Sequence, residues 1–399
     1  MNRPLRDLPA DSPHLTRALA TALDGSGPAL RVLAPGPAPR RSAPDEPHVP
    51  DAVAVVLRTS GSTGLPRDVM LSTAALRASA EATARRIGGP GDWLLVLPAD
   101  HVAGLQVLAR AALAGTAARA APAGPFRAPT FVAAAAALPT TGRRYTSLVP
   151  TQLVRLLDDE SGRAALRTFD AVLLGGSGIP PALLADADAA GVAVVTTYGS
   201  TETCGGCVYD GLPLAGVRVR LEDGAAAPAP AVAGVPPVAR VWVSGPVLAR
   251  GYLGRPDLDA TAFVVDDEGT RWLRTSDLGR WGAGGRLEVV GRADDVIVTG
   301  GVNVAPGPVE DLLVTVPGVR EACVVGVPDD EWGQAVVAVV VVGPAGPPPL
   351  TDVRALVAER LGAAAAPRRL VVVPALPTRG PGKPDRRAAT ALAAATWQP

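Results

Sequence analysis

Between residues 53 and 196 short apolar runs alternate with Ala-rich segments of helical length, and this alternation constrains the fold more than any other feature. The runs 53–57, 93–97, 145–149, 171–174 and 192–196 have the length and β-branched content of buried strands. Helices are expected between them, from the N-cap residue Ser72 to 87, then over 103–113, 151–157 and 180–190. Strand–helix alternation of this kind gives a largely parallel, doubly wound α/β sheet. Ligands of such sheets sit beyond the carboxyl ends of the strands, so the loops that follow the runs are where chemistry is sought.

Three other textures flank that region. Residues 1–52 are rich in Pro, Ala and Arg, with one helix expected around 15–23 and a loose stretch after it. After about residue 211 the strands shorten and Gly/Pro turns multiply, as in a small barrel-like unit. From residue 296 a further pattern begins, with strands at 322–327, 336–342 and 369–373 and a helix at 351–361. This last part reads as a compact α+β module with its own core. A chain of 399 residues exceeds one average core, so two domains are expected, with room for a small third.

Bulk properties exclude several classes of function. The 38 basic residues balance 38 acidic ones, and only four Phe and four Tyr are present, so neither a basic stripe nor base-stacking platforms for nucleic acid are expected. The start, MNRPLRDLPADSPHL, lacks the apolar core of a leader, and no apolar run is long enough to span a membrane. Three cysteines do not make a disulfide framework. The expectation is a soluble protein of the reducing cytoplasm.

Four stretches carry chemistry. The strand at 53–57 runs into Thr59, Ser60, Gly61, Ser62, Thr63 and Gly64, where glycines let backbone N–H groups turn inward and hydroxyls add donors, as a phosphate cradle requires. The loop is not a Walker motif, and an ordinary surface turn has the same composition. Tyr198 to Glu202 (YGSTE) follow the strand at 192–196; Glu202 suits Mg²⁺, which takes one or two carboxylates alongside phosphates, or is a solvated turn residue. Asp277, in RTSD, either binds sugar hydroxyls or opens a turn, and GRADD (291–295) comes just before the last module. Near the C-terminus stands Lys383, the only lysine of the chain. Lys is a compact point charge where Arg is a planar fork, so a site needing a small cation at one oxyanion would not accept Arg; drift in an Arg-biased sequence is the alternative.

In this order and at these intervals the motifs resemble those of the acyl- and aryl-adenylating enzymes, which include acyl-CoA synthetases, peptide-synthetase adenylation domains and luciferases. The resemblance runs from Val53 to Arg387. Three segments, PADHVAGLQVLARAALAG, RRYTSLVPTQLVRLL and YGSTETCGGCVYDG, are similar to the o-succinylbenzoate–CoA ligases of menaquinone biosynthesis. The resemblance implies ATP, Mg²⁺ and coenzyme A as partners of a small carboxylic acid, with a homodimer left open. It assigns Thr59 to Gly64 to the β- and γ-phosphates, and Gly175, Gly176, Ser177 and Tyr198 to adenine. Thr201 and Glu202 go to the α-phosphate and Mg²⁺, Asp277 and Arg292 to ribose. It places a hinge at Asp294, between a large adenylating domain (1–293) and a small mobile one (294–399). Lys383 then matches the adenylation lysine, His101 and Ser147 the acyl pocket, and Gly300 and Gly301 the path of coenzyme A.

Two departures stand out. The family's loop continues Pro-Lys-Gly, whereas here it reads Pro66-Arg67-Asp68. Arg67 keeps a cation for the leaving pyrophosphate, but Asp68 either opposes the polyphosphate or turns away and pairs with Arg67. Ser276 in place of Gly is the milder one. Cys204 and Cys207 have the spacing of a redox pair or half a zinc site, but no second pair or nearby His completes one, and lining of the substrate pocket is the preferred reading. Another acyl- or aryl-CoA ligase, or a nucleotide-binding protein without turnover, shares these motifs and stays open.

Overall fold

The apolar runs do become strands, distributed over two sheets of the N-terminal part. The computed structural model describes residues 2–36, 47–59, 67–222, 238–379 and 383–397, with backbone alone at Arg379 and Lys383. The chain divides into two compact units. The first comprises Met1–Gly176, Leu184–Val219 and Trp242–Arg274, and the second Ser177–Leu183, Arg220–Val241 and Thr275–Pro399.

The six-stranded sheet of the first unit has the order Gly251–Tyr252, Arg67–Ser72, Val53–Thr59, Ala29–Leu33, Asn2–Pro9, His48–Pro50. Val53–Thr59 pairs in parallel with Ala29–Leu33 and antiparallel with Arg67–Ser72. The lead therefore holds three strands besides the expected helix, which spans Leu15–Asp24. They were hidden because Asn2–Pro9 (NRPLRDLP) buries only Leu5 and Leu8, and its remaining residues are polar or Pro. His14 and His48 are exposed.

The seven-stranded sheet has the order Leu212–Pro213, Gly205–Tyr209, Val194–Ser200, Ala171–Leu174, Arg144–Leu148, Asp92–Leu95, Ala118–Ala120. From Val194–Ser200 onward all pairings are parallel, and the helices Val102–Ala114 and Pro150–Leu157 fall where the sequence puts them. The helix Thr73–Ile87 starts at Ser72, whose hydroxyl accepts the Ala75 N–H at 3.1 Å, a standard N-cap. The Gly205–Tyr209 strand turns back antiparallel.

In the second unit the hairpin Val319–Asp329 and Gly333–Val342 forms the centre of a five-stranded sheet. Alternation along Val336–Val340 buries both faces. Val336, Ala338 and Val340 pack with Val309 and Leu313 of the helix Pro306–Leu313, and with Val353 and Val357 of Leu350–Leu361. Val337 and Val339 pack with Ala389 and Ala393 of the helix Arg386–Thr396. A strand covered on both faces reads as a continuous apolar run, which is how it appears in the sequence.

Candidate active site

Thr59 ends the strand that enters the hydroxyl-rich loop, and its Oγ1 donates to the Arg67 carbonyl at 3.4 Å. Ser60, Gly61, Ser62, Thr63 and Gly64 lie outside the described residues. On the returning strand Arg67 and Asp68 point to opposite faces, as neighbours in a strand must. Asp68 does turn away, but its partners are not Arg67. It accepts two hydrogen bonds from Arg58, at 2.8 and 3.2 Å, and lies 3.4 Å from Arg31, which in turn pairs with Asp7. The expected Arg67–Asp68 pair is thus corrected: Asp68 belongs to a chain of ion pairs, Asp7–Arg31–Asp68–Arg58, drawn from four strands. The Arg67 guanidinium lies over the ring of Tyr252, 5.6 Å from its centroid.

The strand Val194–Ser200 delivers Tyr198 and then breaks register between Tyr198 and Gly199. Such a bulge re-aims the residues that follow it. Gly175 at the end of the neighbouring strand must be glycine, since a Cβ there would sit 2.4 Å from Thr197 Oγ1 and 2.7 Å from its carbonyl. This close approach sets the loop at Gly175 and Gly176 beside the strand that carries Tyr198. Thr201, Glu202 and Thr203 form one 3₁₀ turn, locked by Thr203 Oγ1, which takes the Ser200 N–H at 2.8 Å. The Glu202 carbonyl accepts from the Ala249 N–H at 2.7 Å.

The Glu202 carboxylate is half-buried. Its Oε1 accepts a hydrogen bond from the Tyr252 hydroxyl at 3.0 Å, leaving Oε2 open among the described residues. Burial, reinforced by the Glu202 charge, pushes the Tyr252 phenol well above its ordinary value, so it stays protonated and donates. One carboxylate with an open oxygen fits an ion that arrives with nucleotide phosphates, which is how Mg²⁺ is commonly held. No group of three metal-ligating side chains occurs among the described residues. Sequence reasoning missed Tyr252, for which a Gly-Tyr pair after an apolar strand is the only signal.

Of the pocket candidates, His101 stands exposed at the N-cap position of the helix Val102–Ala114 with no side-chain capping bond, and Ser147 is buried on Arg144–Leu148. Cys204 and Cys207 are fully buried and in no disulfide. Cys204 has a left-handed φ of 51° and its carbonyl accepts from Ser79 Oγ at 3.1 Å. Burial, with Cys207 adding to it, raises the Cys204 thiol far above its ordinary value, which makes redox or metal chemistry unfavourable there. A cleft of about 920 Å³ is lined by Met70, Ser72, Arg77, Leu248, Arg250 and Arg271 among others, and contains none of the motif residues.

Within the second unit Asp277 and Arg292 face each other across the hairpin Arg271–Trp281/Leu287–Arg292, 3.3 Å apart, and Arg292 also holds Asp294 at 3.0 Å. Burial works against the Arg292 charge, but these carboxylates outweigh it and hold the guanidinium above its ordinary value. Gly300 and Gly301 make a turn with φ of 56° and 76°, and a Cβ on Gly300 would strike Trp332 at 2.6 Å. The backbone of Lys383 pairs with Arg379 in a two-stranded hairpin. Three residues on, Arg386 grips Glu310 with two nitrogens, at 2.5 and 2.8 Å, Asp295 at 3.1 Å and the Val324 carbonyl at 2.9 Å.

Comparison with known proteins shows what the whole chain is similar to. A protein of Mycobacterium tuberculosis named probable 2-succinylbenzoate–CoA ligase is 45% identical over 94% of this chain and 94% of its own length. A 2-succinylbenzoate–CoA ligase of Bacillus cereus is 33% identical over 77% of this chain and 63% of its own. Among solved structures, the o-succinylbenzoate–CoA synthetase of Bacillus subtilis in complex with its acyl-adenylate intermediate superposes with a TM-score of 0.71, at 26% identity over 94% of this chain and 80% of that one. An amide bond synthetase of Marinactinospora thermotolerans gives 0.76, at 27% identity over 97% and 80%. Residues 7–253 match the AMP-binding enzyme family and residues 308–383 the AMP-binding enzyme C-terminal domain. The chain belongs to the AMP-binding enzyme family.

Proposed function

We propose that this ATP-dependent, adenylate-forming enzyme joins o-succinylbenzoate to coenzyme A in the cytoplasm. The observation that carries the substrate is the likeness to the Mycobacterium tuberculosis ligase, 45% identical along nearly the whole of both chains.

In the first half-reaction an oxygen of the acid's carboxylate attacks the α-phosphorus of ATP, forming acyl-AMP as pyrophosphate leaves. A weak anionic nucleophile must approach a polyanion, so positioning and charge neutralisation dominate. The hydroxyl loop from Thr59 to Gly64 cradles the phosphates, and Arg67 meets the leaving pyrophosphate. Glu202 would hold Mg²⁺, which when bound neutralises polyphosphate charge. Thr201 donates to the α-phosphate, Gly175, Gly176, Ser177 and Tyr198 flank adenine, and Asp277 and Arg292 take the ribose. His101 and Ser147 line the acyl pocket. Lys383 supplies a point charge where the anhydride forms.

In the second half-reaction the thiol of coenzyme A attacks the acyl carbonyl and AMP leaves. Residues 294–399 are proposed to turn about Asp294 between the steps, exchanging Lys383 for the Gly300-Gly301 turn, which lets the pantetheine chain pass. A panel of acids, o-succinylbenzoate among them, tests the reading by AMP release dependent on coenzyme A. The expected result is a kcat/KM for o-succinylbenzoate well above that for the fatty and aryl acids. A faster acid would make this another acyl-CoA ligase. Absence of ATP–pyrophosphate exchange with every acid would leave a nucleotide-binding protein without turnover.

A further inference from the structure

We infer that Tyr252 is a positioning residue for the metal-bearing carboxylate, joining Arg67 and Glu202 into one unit through its ring and its hydroxyl. The inference rests on the role proposed for Glu202. Three observations lead to it. Tyr252 is 4% exposed, and its hydroxyl donates to Glu202 Oε1 at 3.0 Å, so that one carboxylate oxygen is engaged while the other has no partner among the described residues. Its ring lies under the Arg67 guanidinium at 5.6 Å, a stacking that suits a planar cation better than an ammonium. This gives a physical reason for Arg where the family's loop continues with Lys.

The third observation is rigidity. The Gly251–Tyr252 strand pairs antiparallel with Met70 and Val69, and the Tyr252 N–H donates to Asp259 Oδ1 at 2.7 Å. The ring also packs at 5.8 Å from that of Phe263. A side chain fixed at both its backbone and its ring can hold a carboxylate in one rotamer, and partners of that kind are what tune a metal ligand.

Tyr252→Phe keeps the ring, the stack and the packing, and removes only the hydroxyl, with its bonds to Glu202 and Arg67. Calorimetric titration of the full-length protein with Mg·ATP, with ATP plus chelator and with AMP needs no acid substrate. The expected result is about a tenfold weaker affinity for Mg·ATP, the size typical of losing such a partner. Affinity for AMP and for metal-free ATP, and the melting temperature, should be little changed. In a Glu202→Gln background the same substitution should have less than about twofold further effect, because the charged acceptor is already gone. An unchanged Mg·ATP affinity, or equal losses for Mg·ATP and AMP, would overturn the positioning role while leaving the proposed function standing. Failure of the wild-type protein to bind Mg·ATP more tightly than metal-free ATP would overturn the role together with the metal site it depends on.

Discussion

Asp68 carries the charge that fits least well beside a polyphosphate, and the fold resolves the misfit by geometry. Its side chain, 15% exposed, belongs to the row Asp7–Arg31–Asp68–Arg58. Removing its charge leaves Arg31, whose side chain is 11% exposed, to Asp7 alone. Asp68→Asn should therefore lower stability by on the order of 2 kcal/mol, the range for hydrogen bonds to charged groups. The KM for ATP should move less than about twofold. A denaturant midpoint that does not shift, together with a lower KM, would return Asp68 to the phosphate loop. The sequence showed that this residue was out of place but not where it went, because Arg58 and Arg31 reach it across strand pairings that no local pattern announces.

Among the elements, legibility followed periodicity. The helix Thr73–Ile87 and the strand Ala171–Leu174 lie where apolar spacing and an N-cap put them. Partners were harder. Val53–Thr59 reads like the other runs yet joins a separate sheet with strands of the lead, since a strand's own residues do not say which edge it will find. The motifs of the candidate site were legible because backbone demands, such as glycine at 175, leave a mark in composition; Glu310 and Arg386 act through side-chain contacts at long separation and left none, and Tyr252 left only the Gly-Tyr pair. Arg386 makes the clearest case at this scale. It fastens the start of the helix Arg386–Thr396 to Glu310 and to Asp295, next to the proposed hinge. Burial opposes its charge, but the carboxylates hold it well above the ordinary value. Asp295→Asn removes one partner of a satisfied cation and should cost about 1 kcal/mol. Arg386→Met takes both charged bonds from the Glu310 carboxylate, 18% exposed, leaving it the Val324 N–H alone among the described residues, and should cost about 3 kcal/mol, as for a broken buried pair. Urea midpoints of the two variants measure the difference; equal losses would mean that the bidentate pair to Glu310 is not what anchors the helix.

For the molecule as a whole, the question is whether its two half-reactions use different faces of the C-terminal part. Lys383, the only lysine, is the means of asking. Lys383→Ala should lose roughly two or more orders of magnitude in adenylation, comparable to removing one preorganised oxyanion donor. Thioester formation from supplied acyl-AMP should be nearly spared. Lys383→Arg keeps the charge and changes its shape, and it too should be badly impaired in adenylation. Rapid-quench assays of each half-reaction check both; near-normal adenylation by the Arg variant would mean that any cation suffices at this position.

The break in pairing after Tyr198 has a consequence for how this stretch can change. Tyr198 lies opposite Val208 and Gly199 opposite Gly206, so Cys207 is the extra residue of the bulge. Cys204 stands at the left-handed turn where the chain reverses. A spacing that reads as a redox signature is thus the distance from a reversal to a slip of phase. The phase matters beyond the slip, because Tyr209 must meet Thr83 at 3.0 Å and Arg110 at 3.2 Å in the core. Cys207→Ala changes the spelling and keeps the count, and should leave soluble yield and melting temperature close to those of the parent. Deleting Cys207 keeps every other letter and removes the bulge, with the bend and added twist that set Tyr209 against Thr83 and Arg110, and it should lower soluble yield and melting temperature well below those of the parent. At this place the chain is free in its alphabet and bound in its metre.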